Sequence, residues 1–169
     1  MVVVRGQNDD EIEALTRWAW SRRITPRFLE IMSIGEGAKL RDSFVAGDEI
    51  RSRLAHLLVD NLAVPDRDRG PAKYVTARHD SSLRVGFITG SSHTYCAGCD
   101  RLRVSSDGTL RPCLATPDGV SAAEAARAGD TSAVQRALRE AWLHKPDGER
   151  FKGCTEEGAS KLSIRAIGG

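Results

Sequence analysis

Cys96, Cys99 and Cys113 form a C-x2-C-x13-C run, followed after its first pair by Asp100-Arg101-Leu102-Arg103. Three thiolates can hold a metal centre while leaving one coordination position open, and two guanidinium groups beside them can hold an anion at that opening. Between the second and third cysteines, Arg101 to Val104 and Leu110 to Cys113 read as the arms of a hairpin around Ser105-Ser106-Asp107-Gly108. Asp-Gly supplies the positive φ that a tight turn requires. The spacing therefore predicts a ligand site built on a hairpin.

The rest of the composition narrows what such a site serves. The chain has 169 residues, 40% of them hydrophobic, which is enough for a folded core. Net charge is only +2, which gives no electrostatic case for nucleic acid or a membrane surface as partner. Of 25 basic residues 20 are arginine, an excess that coding bias largely accounts for, so only particular arginines carry meaning. There is no apolar run long enough to cross a membrane, and Met1-Val2-Val3-Val4-Arg5 is too short for the apolar region of a signal peptide. A cytoplasmic protein is expected. In that setting four cysteines, the three above and Cys154, favour metal binding over a disulfide framework.

Along the chain, Val2 to Val4 reads as the end of a buried strand. Asn8 with Glu11 forms a capping-box pattern before a helix whose apolar face holds Ile12, Leu15, Trp18 and Ala19. Arg27 to Met32 reads as a strand ending in the Gly35-Glu36-Gly37 loop. Ile50, Leu54, Leu57 and Leu58 then give a helical stripe through about residue 62. This alternation opens a parallel α/β pattern. It breaks at residues 65–71, a charged and turn-rich connection, before a strand over Leu83 to Ile88 and the cysteine region. Ala122 to Arg127 and Thr131 to His144 read as helices, the second with Val134, Leu138, Ala141 and Trp142 on one side. His56, His79, His93 and His144 sit at surface or loop positions, and Trp18, Trp20 and Trp142 read as packing residues. The expected fold class is α/β, an incomplete portion of a partial parallel barrel with a cysteine-bearing hairpin and helices. Expected domains are 1–64 for the strand and helix units, 65–145 for the cysteine region, and 146–169 for a flexible tail. An eight-unit barrel needs about 250 residues, so the chain cannot close one alone, and a first strand starting at Met1 suggests that part of this fold lies outside the sequence.

Spacing alone leaves the metal open. A cubane iron-sulfur cluster held by three cysteines keeps one iron for an exogenous ligand. Structural zinc would need a fourth ligand, for which His93 or Cys154 is available. Small buried cysteines with no ligand role are the third reading. Arg101 and Arg103 are two apart on a strand and project from one face about 7 Å apart. A polyanion between them would relieve their repulsion, whereas pairing with Asp100 and Asp107 would leave them structural. A strict two-residue turn at Asp107-Gly108 would place Cys113 opposite Leu102, on the face away from the arginines; a wider turn or a bulge would remove that conflict.

Tyr95-Cys96-Ala97-Gly98-Cys99-Asp100-Arg101-Leu102-Arg103, with Asp107-Gly108 and Arg111-Pro112-Cys113-Leu114, closely resembles the C-terminal cluster region of the GTP 3′,8-cyclase family. These are radical S-adenosylmethionine enzymes that open molybdenum cofactor biosynthesis. The resemblance extends to Arg5-Gly6-Gln7-Asn8-Asp9-Asp10-Glu11-Ile12, to Arg27-Phe28-Leu29-Glu30-Ile31-Met32 and to the Gly168-Gly169 terminus, so it covers essentially the whole chain. It implies that Cys96, Cys99 and Cys113 bind a C-terminal 4Fe-4S cluster whose unique iron takes the guanine of GTP. It further implies that Arg101, Leu102 and Arg103 contact GTP and that Met32 belongs to an S-adenosylmethionine pocket. Arg27 is a further candidate on the same strand, and Gly168 and Gly169 resemble a tail that reaches the family's active site.

The chain also departs from that pattern. The C-x3-C-x2-C motif that in the family generates the radical is absent, and four cysteines cannot fill two three-cysteine sites. The family's other N-terminal GTP and S-adenosylmethionine contacts are absent with it. Asp100 stands where asparagine is frequent. The resemblance implies a GTP-binding part of a GTP 3′,8-cyclase, with no catalytic residue of its own and inactive without a separate N-terminal half. The alternative is a stand-alone iron-sulfur or zinc module, or an inactive remnant.

Overall fold

The computed structural model describes residues 1–63, 70–93, 96–116 and 118–146, apart from the side chains of 60–63 and 97. They gather into two compact units, one of Met1–Met32 with Leu40–Tyr95, the other of Ser33–Lys39 with the residues from Cys96 onward. Among the described residues no helix is long and apolar enough to cross a membrane.

In the first unit, helix α1 (Ile12–Ser21) precedes strand β1 (Arg27–Leu29). Helix α2 (Gly47–Arg53) follows, then strands β2 (Leu58–Ala63), β3 (Lys73–Ala77) and β4 (Arg84–Ile88). The sheet order is β1-β4-β3-β2. Strands β1 and β4 pair in parallel, and Val2 adds a parallel bridge to Leu29 on the free side of β1. The other two pairings are antiparallel. The architecture is thus mixed α/β, and the described residues close no barrel. Val3, Phe28, Ile50, Leu54 and Val85 are buried in one apolar cluster, each such side chain contributing about 1.5–3 kcal/mol by leaving water.

At the end of β1, Glu30 interrupts this apolar packing. Only 3% of it is exposed, and its carboxylate meets four hydrogen-bond donors. Its carboxylate accepts from the backbone N–H of Gly47 at 2.6 Å and from those of Ser91 and Ser92 at 2.9 Å each, as well as from the Ser92 hydroxyl. Helix α2 has no cap from its own N-cap residue, Ala46; Glu30, seventeen positions away, provides one. Gly47 has to be glycine for this approach, since a Cβ there would stand 2.3 Å from Thr89 Cγ2 and 3.1 Å from Glu30 Oε1. The same knot holds the chain after β4, where the Ser91 hydroxyl also donates to the Ile31 carbonyl at 2.8 Å.

The second unit contains strands β5 (Arg103–Val104), β6 (Thr109–Arg111) and β7 (Val120–Ser121), paired antiparallel in that order. Helices α3 (Ala123–Arg127) and α4 (Thr131–Leu143) follow. Asp130 caps α4 by accepting from the Ala133 N–H at 2.9 Å. Ala137 and Ala141 pack with Leu110 and Ala122.

Several local expectations are corrected. The stripe expected to run helical to about residue 62 ends as a helix at Arg53, and Leu58 onward is strand β2. Long-range pairing with β3 outweighs the local period there: Arg78 donates its backbone N–H to the Leu57 carbonyl and its guanidinium to the Leu58 carbonyl, both at 2.8 Å. Asn8 does not cap α1. Its side chain turns back to accept from the Val4 N–H and to donate to the Val2 carbonyl, which leaves the helix to start at Ile12. Trp18 is half exposed under the Arg22 guanidinium, whereas Trp20 is buried and donates to the Arg84 carbonyl at 3.0 Å. On α4 the buried face consists of alanines, because small side chains let the helix approach the sheet; Leu138 and Trp142 stay exposed. The strand read over Arg27 to Met32 stops at Leu29, and Gly35–Ser43 forms 3-10 turns rather than an open loop. Most of the 65–71 connection and the tail from 147 lie outside the described residues.

Glu30→Ala would orphan three backbone donors and is expected to cost about 2–4 kcal/mol. Gly47→Ala would cost about 1–3 kcal/mol through the clash. Urea unfolding checks both, and a wild-type midpoint for the Glu30 variant would contradict the role given to this knot.

Candidate metal centre

Cys96 opens a 3-10 turn over Cys96–Gly98, closed by the Cys99 N–H donating to the Cys96 carbonyl at 3.1 Å. The next thirteen residues form the predicted hairpin. Its pairs are Arg103 with Arg111 and Val104 with Leu110. The Ser105 N–H donates to the Thr109 carbonyl and the Gly108 N–H to the Ser105 carbonyl, each at 2.9 Å. Asp107 accepts from the Thr109 N–H at 3.0 Å, which holds its carboxyl below the ordinary range. Gly108 takes φ +82° while Ala123 lies where a Cβ would project, so two constraints converge on glycine there.

This turn is wider than two residues, and the difference shifts the register of the two arms. A strict Asp107-Gly108 turn pairs Cys113 with Leu102. The observed pairs, Arg103 with Arg111 and Val104 with Leu110, are shifted by one from that register, and the ladder ends at Arg103 and Arg111. Arg103 and Arg111 then share a face, while Leu102 packs against the cluster of Leu110, Ala137 and Ala141. Like charges directly opposite one another on a sheet are unfavourable, and Arg111 is held by donating its Nε–H to the Ser105 hydroxyl at 2.9 Å.

Cys96, Cys99 and Cys113 are all half-buried thiols. The Ala115 N–H donates to Cys113 Sγ at 3.4 Å. Lys145, just past α4, directs its ammonium at Cys99 Sγ at 3.6 Å, at the Arg101 carbonyl at 2.6 Å and at the Pro112 carbonyl at 3.0 Å. Among the described residues no three His, Cys, Asp or Glu side chains gather tightly enough for a single ion. A cluster places each cysteine on a different iron and so asks for a looser set than four ligands around one zinc. Three soft donors, with hydrogen-bond donors aimed at two of the sulfurs, fit a thiolate-held cluster.

The other candidates fall elsewhere. Met32 lies half-buried in the first unit, two residues beyond Glu30. Arg27 begins β1, at the opposite end of the strand from Met32, and its guanidinium lies 5.5 Å from the centre of the Tyr74 ring. His93, considered as a zinc ligand, belongs to the first unit, where its Nε2 lies 3.2 Å from Asp48 Oδ2. Cys154, Gly168 and Gly169 lie outside the described residues. Sequence reasoning missed Lys145, which no spacing relates to the cysteines. It also missed Glu30, although a carboxylate within Phe28-Leu29-Glu30-Ile31-Met32 was a signal that could have found it.

The family model described as Molybdenum Cofactor Synthesis C matches residues 24–151. The GTP 3',8-cyclase of Pseudomonas putida (strain W619) is 35% identical over 157 residues, 89% of this chain and 46% of the relative. That of Rhodopseudomonas palustris (strain TIE-1) is 36% identical over 154 residues, 89% of this chain and 44% of the relative. That of Thermodesulfovibrio yellowstonii is 32% identical over 149 residues, 88% of this chain and 46% of the relative. The chain spans about half the length of the curated relatives it matches. With the family match running through the sheet and the whole cysteine hairpin, the chain belongs to the Molybdenum Cofactor Synthesis C family.

Proposed function

We propose that this chain is the C-terminal, cluster- and GTP-binding part of a GTP 3′,8-cyclase-like enzyme, which converts GTP to the cyclic precursor of molybdopterin. Cys96, Cys99 and Cys113 would hold a 4Fe-4S cluster, and Arg101 and Arg103, with Leu102 between them, would bind the nucleotide. The observation that supports this reading is the β5–β6 hairpin between Cys99 and Cys113, across which Arg103 stands opposite Arg111. The relatives' name supports GTP as the anion. An iron held by no cysteine supplies an open coordination position for a base nitrogen or oxygen. The chain's own part is binding and electrostatics: the guanidinium groups fix the phosphates and with them the sugar.

The sequence carries no C-x3-C-x2-C motif. In this reading the radical is generated by a segment outside the sequence, in the same polypeptide or a partner chain, with S-adenosylmethionine bound there and against Met32. Arg27, Gly168 and Gly169 remain candidates for the same completed site.

Anaerobic reconstitution tests the reading. About four irons per chain, an EPR spectrum that changes when GTP is added, and loss of iron in Cys96→Ser, Cys99→Ser or Cys113→Ser are expected. Stoichiometric zinc, or a cluster indifferent to GTP, would overturn it in favour of a stand-alone metal module. Arg101→Ala and Arg103→Ala should each weaken GTP binding about tenfold to a hundredfold, from the loss of charge-assisted hydrogen bonds, with iron content unchanged. Equilibrium dialysis against labelled GTP checks this, and wild-type affinity in both variants would contradict the phosphate role.

A further inference from the structure

Lys145 spends its ammonium entirely on the segments that carry the cysteines. Its three acceptors are Cys99 Sγ, the Arg101 carbonyl two residues beyond Cys99, and the Pro112 carbonyl one residue before Cys113. An ammonium has three protons, and three acceptors satisfy it. None of the three is a carboxylate, so these contacts leave its positive charge unneutralised beside the sulfur. Lys145 lies between Pro146, which is buried, and the last turn of α4, and its ammonium also sits 5.4 Å from the centre of the Trp142 ring. These contacts fix where the charge stands.

We infer that Lys145 is a positioning residue of the cysteine centre: it staples the Cys99 loop to the strand end bearing Cys113 and sets the electrostatics at the Cys99 sulfur. The inference rests on the cluster reading above. It gives α4 a task in the site, because the helix delivers a cation to a thiolate ligand from the side opposite in sequence to the arginines. A reduced cluster carries one more negative charge than an oxidised one, so a cation hydrogen-bonded to a ligand sulfur favours reduction. The staple also keeps two ligand segments together when the metal leaves. Lys145 therefore acts on the cluster's potential and retention, while Arg101 and Arg103 act on the nucleotide.

The test compares the wild-type chain with Lys145→Arg, Lys145→Gln and Lys145→Met after anaerobic reconstitution. Iron and sulfide content, the midpoint potential followed by EPR, and the rate of iron loss to a chelator are measured. Far-UV circular dichroism confirms that each variant is folded. Lys145→Met and Lys145→Gln should titrate at a more negative potential than wild type and lose iron several-fold faster, with Lys145→Arg close to wild type in both. If Lys145→Met holds no iron, retention in Lys145→Arg supports the role, and equal loss in Lys145→Arg overturns it. Full iron content at wild-type potential in Lys145→Met also overturns it, leaving the cluster reading intact. A wild-type chain that takes up no cluster overturns both.

Discussion

Thirteen residues must reverse direction between Cys99 and Cys113, and the register of that reversal governs everything around the cysteines. Had the turn closed on two residues, Cys113 would lie on the face of Leu102, inside the apolar contact with α4. The wider loop, held by the bonds between Ser105, Gly108 and Thr109, moves every side chain of β6 by one position relative to β5. Arg103 then stands opposite Arg111, and Leu102 and Leu110 pack with Ala137 and Ala141. One residue of register therefore changes which residues of β6 stand opposite those of β5. Gly108 makes this loop possible, through both its positive φ and the close approach of Ala123.

Glu30 plays a comparable part in the first unit. The chain leaves that unit twice, after Met32 and after Tyr95. Within the unit, the carboxylate at position 30 binds the segment after β4 through Ser91 and Ser92 and the start of α2 through Gly47. A buried carboxylate surrounded by donors is costly to assemble and more costly to break. The segment preceding Met32 and the one preceding the cysteines are therefore tied to each other, and the residues that the family resemblance marks follow directly in sequence from a rigid knot. Arg5, Glu49, Arg53 and Asp9 form a partly exposed ion-pair chain joining the loop before α1 to α2. Solvent access limits what those pairs contribute.

What was legible in the sequence was local. The Asp107-Gly108 turn and the two helices downstream of it are encoded by neighbours within a few positions, and they appear where the pattern places them. The loop's true width was not legible, because it depends on whether Ser105 or Ser106 closes the turn, a choice that β7 and α3 help settle from downstream. The helix expected through residue 62 failed for the same reason: Leu54, Leu57 and Leu58 satisfy a helical period, yet β3 claims residue 58 onward by pairing Leu58 with Ala77. Asn8 had two backbone partners available and chose the strand over the helix. Lys145 carried no signal, since a lysine past a helix end is ordinary and only the fold brings its ammonium to Cys99. The face bearing the site was therefore half readable: the cysteines and arginines from spacing and resemblance, the cation behind them only from structure.

The central claim is that three cysteines of this chain hold a cluster with one iron left for the nucleotide. Mössbauer spectroscopy of the chain reconstituted with iron-57 tests it most directly. The account predicts a cluster in which one iron is distinct from the rest and alone changes its isomer shift and quadrupole splitting when GTP is added. Irons that are all equivalent and unaffected by saturating GTP would contradict it.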